Sequence, residues 1–287
     1  METIVCPICQ QQASRLFQKY GYWICRCKTC GHRFAETLSS ADHVSRVYQD
    51  DYFKGGSAGY PDYLSEAQTL VEHGRQYGAL LHQFTRPGKI LDVGSAAGFI
   101  LQGFQETGWS GVGVEPNFAM SQYGRTQLGL QIETGCLEEF SFASKFDVIC
   151  MIQVVAHFFD IRKALERAAK LTLPGGFWLI ETWDRESWPA RLLGKHWHEY
   201  SPPSVLHWFS PAGLASIAAQ FGLVEVARGK PVKRINARHA KSLLRYKLQG
   251  SPFAGLPDLL VFLPDDKVIR YPAFDLFWIL FQKQANH

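Results

Sequence analysis

Apolar positions along this chain change their spacing several times, and each change marks an element. The stretch 18–24 reads as a short hairpin, and 64–84 as a helix that ends at Arg86-Pro87-Gly88. Five short apolar runs follow at 89–93, 111–115, 131–134, 146–152 and 176–181, with helical segments of ordinary length between them. Such alternation predicts a parallel sheet wrapped by helices. Ser210-Pro211 supplies an N-cap and a first-turn proline for a helix that runs to Phe221-Gly222. A sixth strand is expected at 223–228 and a seventh at 273–281. Between them, 240–248 predicts a short basic helix and 251–257 is rich in Pro and Gly. There is no internal repeat.

A chain of 287 residues is long enough for one α/β domain with appendages. Its 46% hydrophobic and 20% charged residues are ordinary for a globular protein. The start, METIVCPICQ, lacks the basic leader and apolar run of a signal peptide. The apolar stretch 274–281 is interrupted by Asp275 and falls far short of the roughly 20 residues of a spanning helix. A cytoplasmic location without a membrane partner is therefore expected. The net charge of +4 comes from scattered Lys and Arg, which permits an anionic substrate but lacks the concentrated basic face of a nucleic-acid binder.

Five of the seven cysteines fall in the first 30 residues. Cys6-Pro-Ile-Cys9 and Cys27-Lys-Thr-Cys30 are two CxxC knuckles separated by 17 residues, the spacing of a four-thiolate zinc site. Cys6, Cys9, Cys27 and Cys30 are the expected ligands of a structural Zn2+, with Cys25 a bystander and His32 outside the ligand set. A closed site of four thiolates leaves no open position for catalysis.

The run Lys89-Ile90-Leu91-Asp92-Val93-Gly94-Ser95-Ala96-Ala97-Gly98 joins a buried strand to a helix through a tight turn. Gly94 allows close approach of a ligand, and Gly98 lets the helix start pack on the strand. Glu115 ends the second strand, 23 residues beyond Asp92, where a carboxylate can accept hydrogen bonds from both hydroxyls of a ribose. The full G-x-G-x-x-G of dinucleotide-binding oxidoreductases is absent.

These residues resemble the class I S-adenosylmethionine (SAM)-dependent methyltransferases, specifically the bacterial group with an LDVGxGxG loop, an FDvI stretch and an LkPGG turn. The resemblance extends to the CxxC ribbon and to Tyr48-Gln49-Asp50-Asp51-Tyr52-Phe53, and so covers the chain from about residue 5 onward. It implies an α/β fold: a Rossmann-like seven-stranded class I methyltransferase sheet, its last strand antiparallel, with an N-terminal zinc ribbon and a C-terminal insertion. The expected organisation is a ribbon over 1–45, a Tyr-rich linker and helix over 46–86, and a SAM-binding domain over 87–287. Within that domain, 182–210 would form a lid and 231–271 an insertion. The resemblance assigns SAM binding to Asp92, Gly94, Ser95, Gly98, Glu115, Cys136, Leu137 and Gln153. Three positions depart from the pattern. Ala96 replaces the central glycine and is expected to fit with a negative φ, Cys136 replaces an acid near adenine, and Val155-Ala156-His157 replaces a Leu-Glu-His triplet. Glu138 is a substitute partner for the adenine amine.

Methyl transfer asks the protein to align a nucleophile, exclude water and, where required, accept a proton. His157 is the first candidate base by position, followed by His207 and His198 on the aromatic-rich segment 182–210, which is expected to close over the cofactor and form the acceptor pocket. The expected partner is a small-molecule acceptor such as a sugar or polyketide. Two alternatives stand beside it: an RNA methyltransferase that uses the ribbon, and a non-catalytic SAM-fold binding protein. The oligomeric state is not legible.

Overall fold

A computed structural model describes residues 4–37, 47–48, 63–140, 142–237, 241, 264, 267–271 and 273–285. The expected helix at 240–248 and the Pro/Gly-rich piece at 251–257 lie outside them, Lys241 excepted, as does most of the Tyr-rich segment.

The N-terminal part is a ribbon of three antiparallel strands, β1 (Ala13–Lys19), β2 (Tyr22–Cys27) and β3 (Arg33–Glu36). The helix α1 (Ala67–Leu81) then leads into the α/β core. Core elements alternate as β4 (Lys89–Val93), α2 (Phe99–Glu106), β5 (Ser110–Glu115), α3 (Phe118–Leu128), β6 (Ile132–Thr134), β7 (Phe146–Ile152), α4 (Ile161–Leu171) and β8 (Thr172–Trp183). The chain continues through α5 (Trp188–Leu193), β9 (His207–Trp208), α6 (Pro211–Ala219) and β10 (Leu223–Gly229). A small two-stranded sheet of β11 (Lys233–Asn236) and β12 (Val268–Tyr271) precedes β13 (Leu276–Lys283).

Seven strands form the main sheet in the order β10-β13-β8-β7-β4-β5-β6. β4 to β8 pair in parallel, while β13 runs antiparallel between β8 and β10, as expected for the seventh strand. Helices cover both faces, so β7 buries nearly every residue and shows no polar alternation. Leu91, Ile149, Ile180 and Ile279 face one core, and Ile90, Val148, Leu179 and Leu280 the other. α4 places Ile161, Ala164, Leu165, Ala168 and Leu171 on one face, and its N-cap Asp160 accepts from the Lys163 N–H. β8 begins earlier than the sequence suggests. Leu173-Pro174-Gly175 reads as a turn, yet it lies within β8 at a register shift against β7, with Gly175 at φ +76°.

The segment 182–210 differs from the expected loop. It contains a helix, α5, and a strand, β9, which pairs with β3 as the fourth strand of the ribbon sheet. A parallel bridge from Asp184 to Phe209 continues that pairing to the end of β8. Ile24 and Phe34 of the ribbon accordingly share one apolar core with Ile149 and Ile180 of the main sheet. No helix among the described residues is long and apolar enough to cross a membrane.

Candidate functional site

At the C-terminal ends of β4, β5 and β7 lies a cleft of about 1100 Å³, open mouth included. Crevices beyond the carboxyl ends of parallel strands are where α/β sheets hold ligands. Its walls come from the turn after β4, the end of β5, the turn 135–138, the end of β7 and one face of α1.

The turn after β4 is held in an unusual conformation. Gly94 has φ +68°, and a Cβ there would meet Val154 Cγ2 at 2.6 Å, so only glycine fits. Ala96 has φ +47°, which corrects the expectation of a negative angle. Its left-handed backbone is tolerated because the Ala96 N–H donates to Glu115 Oε2 at 2.9 Å. The Asn117 N–H donates to Glu115 Oε1 at 2.8 Å. Two of the roughly four acceptor positions of this carboxylate are thereby used, which orients the remainder.

Asp92 and Glu115 are both buried. Burial pushes the Glu115 carboxyl up to about 7 although the two backbone donors pull it down. Burial, reinforced by the Glu115 charge, also raises Asp92 to about 7. Asp92 Oδ2 and Ser95 Oγ are buried with no hydrogen-bond partner among the described residues. Buried polar atoms without partners are rare, and both residues line a ligand-sized cleft. Cys136, Leu137 and Glu138 form the wall beyond Glu115, with Glu138 Oε1 accepting from the Phe159 N–H at 3.2 Å. Gly98, which starts α2, does not line the cleft; its φ of +88° shapes the turn.

The three candidate histidines separate. His157 lines the cleft, and its Nδ1 lies 2.7 Å from the Ser204 carbonyl and 2.9 Å from the Tyr48 hydroxyl. A carbonyl can only accept, so Nδ1 carries the proton and Nε2 the lone pair. Burial lowers the His157 pKa, which keeps the ring neutral near pH 7. His207 is buried away from the cleft, between His32 and the Phe158 carbonyl. His198 is partly exposed and pairs with Glu199 at 3.0 Å. No residue of 182–210 lines the cleft.

A second cluster surrounds Glu181, and of its members the sequence singled out Gln153 alone. Glu181, at the end of β8 and fully buried, accepts from His73 Nε2 at 2.8 Å, from Gln153 Nε2 at 2.7 Å and from the Tyr77 hydroxyl. Gln153 adopts φ +57°, a left-handed angle held by its own N–H donating to the Glu181 carbonyl at 2.9 Å. His73 and Gln153 line the cleft on the side away from β5 and β6. Helical periodicity alone identified 64–84, and nothing in it singled out His73 as a cleft residue.

In the ribbon, the sulfurs of Cys6, Cys9, Cys27 and Cys30 lie within 4.8 Å of one another, with three pairs at 3.4, 3.5 and 3.7 Å. Thiolates around a tetrahedral zinc at 2.3 Å stand roughly 3.8 Å apart, so the set fits that ion. Burial raises the Cys27 thiol, but N–H groups of Cys30 and Thr29 more than offset this and bring it to about 7. His32 stands outside the cluster, as expected.

The sequence profile of a methyltransferase-domain family matches residues 63–227. A ubiquinone biosynthesis O-methyltransferase of Nitrobacter winogradskyi is 31% identical over 125 residues, 42% of this chain and 46% of that relative. A counterpart in Bradyrhizobium is 30% identical over 125 residues, 42% of this chain and 47% of its own. The chain thus spans about half the length of the curated relatives it matches. Among solved structures, the YcgJ protein of Bacillus subtilis superposes with a TM-score of 0.53 at 17% identity, over 74% of this chain and 99% of that one. The magnesium protoporphyrin IX methyltransferase of Synechocystis, solved with bound S-adenosylhomocysteine, gives 0.51 at 12% identity, over 85% and 94%. At these identities the structural likeness speaks for the fold.

Proposed function

The chain belongs to the class I SAM-dependent methyltransferases, and from that premise we propose that it transfers a methyl group from SAM to a small-molecule acceptor. The observation that carries the reading is the pair of buried carboxylates in the cleft, Glu115 with two backbone donors and Asp92 with an oxygen that has no partner among the described residues. Glu115 accepts the ribose hydroxyls, Asp92 and Ser95 face the methionine portion with its ammonium group, and Cys136, Leu137 and Glu138 flank adenine. When bound, SAM supplies an electrophilic methyl on a sulfonium. Everything else falls to the chain's own residues, which hold the acceptor in line, exclude water and take up a proton where the nucleophile carries one.

With Cys136, Leu137 and Glu138 holding adenine, the walls left for an acceptor would be the 153–158 turn and α1. His157, neutral with its Nε2 lone pair available, is the candidate base. The O-methyltransferase relatives support a hydroxyl acceptor of small-molecule size. A structural Zn2+ held by Cys6, Cys9, Cys27 and Cys30 fixes the ribbon. Titrating the full chain with SAM by calorimetry, then measuring S-adenosylhomocysteine release against pools of phenols, sugars and polyketides, tests the reading. Absence of SAM binding overturns it; binding without turnover on any pool favours a non-catalytic SAM-fold protein.

A further inference from the structure

Ser14, Arg26, Arg33 and Trp208 form one row across the four strands of the ribbon sheet, each directly opposite the next. Opposed residues of antiparallel strands project on the same face, so Arg26 and Arg33 are cross-strand neighbours, an unfavourable pairing for like charges. A third arginine joins them from the core. The Arg185 N–H donates to the Phe209 carbonyl at 2.8 Å, just beyond β9, and its side chain is 10% exposed. Burial lowers the Arg185 pKa; Glu186 opposes that shift, while the charges of Arg33 and Arg26 add to it.

Local acids do not balance this charge. Arg185 Nη2 has Glu186 at 3.0 Å, itself 43% exposed, and Ser210 Oγ at 3.5 Å, while Arg33 Nη1 donates to the Tyr200 hydroxyl at 2.5 Å. Nε of Arg33 and Nε of Arg185 are buried with no hydrogen-bond partner among the described residues. The other face of the same ribbon shows the contrast: Arg15 there is matched by a bidentate Glu36, at 2.7 and 2.8 Å. Guanidinium charge matched by a single half-exposed acid is costly in a partly desolvated seam, and a ligand of opposite sign reduces the cost.

We propose that Arg26, Arg33 and Arg185 form a binding site for a tetrahedral oxyanion, the phosphoryl group of free phosphate or of a small phosphate ester. Guanidinium forks suit such oxygens in a way that a single ammonium does not. None of the three lines the cleft at β4 and β5, so the site is separate from the one assigned to SAM. An anion seated there ties β2 and β3 to residues 184–185 and so holds the ribbon to the core.

The test is calorimetric titration of the full chain with inorganic phosphate and with phenyl phosphate, at ionic strength held constant with chloride. Arg26→Gln is the main variant because Arg26 is exposed and its loss leaves packing intact; Arg185→Gln is the second and Arg15→Gln the control. Saturable binding is expected at one site, weaker by about tenfold or more in the first two variants and unchanged in the control. Tighter binding of the ester identifies an ester as the ligand; equal binding identifies free phosphate. The proposal is overturned if neither anion binds above the chloride background, if Arg15→Gln loses as much as Arg26→Gln, or if only a short single-stranded RNA binds.

Discussion

Nε2 of His32 lies 3.1 Å from Nδ1 of His207, and this contact joins the ribbon to the core. Nε2 of His207 is 3.0 Å from the Phe158 carbonyl and must donate to it, so His207 Nδ1 accepts the proton held by His32. Burial lowers the His207 pKa to about 4, which keeps it neutral in this relay. Hydrogen bonds between the Leu206 N–H and the Ala156 carbonyl and between the Ala35 N–H and the Leu206 carbonyl run alongside. The turn that carries His157 is therefore clamped through 204–207 to β3 of the ribbon.

Replacing His207 with Ala leaves the Phe158 carbonyl and the His32 N–H buried without partners. A loss of about 2–4 kcal/mol in unfolding free energy is expected. Urea unfolding followed by tryptophan fluorescence measures it. An unchanged midpoint with lost turnover would instead make His207 a group that touches the acceptor.

Cys27→Ser should abolish binding of one zinc per chain, because thiolate convergence is the only source of affinity in a closed four-cysteine site. Metal analysis of the purified variant reads this directly. Since β9 pairs with β3, the loss should also loosen 204–208, visible as faster amide exchange there and not in β4 or β7. Full zinc content in the variant would remove Cys27 from the ligand set.

Most of the sheet was legible because its strands are buried on both faces and read as unbroken apolar runs between helical periods. The Asp92–Gly98 turn and Glu115 were legible for a similar reason, since their spacing follows from strand and helix lengths. His207 was not. Its pairing with the ribbon joins residues 175 apart in sequence, and an aromatic-rich segment looks alike whether it lines a pocket or fills a seam. Glu181 was equally hidden, as an acid at the end of an apolar run, because its three donors come from α1 and from the turn after β7. Ala96 was read from a family pattern, whereas its angle is set by the hydrogen bond to Glu115.

Affinity for SAM should rise with pH. Asp92 and Glu115, both raised to about 7 in the ligand-free chain, must release protons to accept the ammonium and ribose donors. Between about pH 5.5 and 8 the affinity should increase roughly tenfold or more, then level off. In the ligand-free chain the same shifts remove stability as pH climbs from about 4 towards 7, because the native state keeps protons that the unfolded chain has released. Calorimetry in buffers of different ionisation enthalpy measures the protons released. Glu115→Gln should weaken binding by about tenfold and flatten the pH dependence; equal affinity and slope in this variant would exclude Glu115 from the site.

Glu181 carries the last prediction. Its carboxylate is fully buried and serves three donors, so Glu181→Ala strands the His73 N–H and the Tyr77 hydroxyl in an apolar setting. Breaking one side of a buried charged network costs about 3–5 kcal/mol, and that loss is expected in urea unfolding. His73→Ala alone removes one donor and leaves two, and should cost less. If the four groups act as one unit, the double variant will fall short of the sum of the singles by about 1 kcal/mol or more. Gln153 adds a readout at the cleft. In Glu181→Ala the Gln153 N–H keeps its main-chain carbonyl acceptor, but the Gln153 side-chain amide loses the carboxylate that fixes it at the cleft wall, so SAM affinity should drop although Glu181 itself does not line the cleft. Additive single effects within about 0.5 kcal/mol, together with unchanged SAM affinity, would reduce the cluster to independent packing contacts.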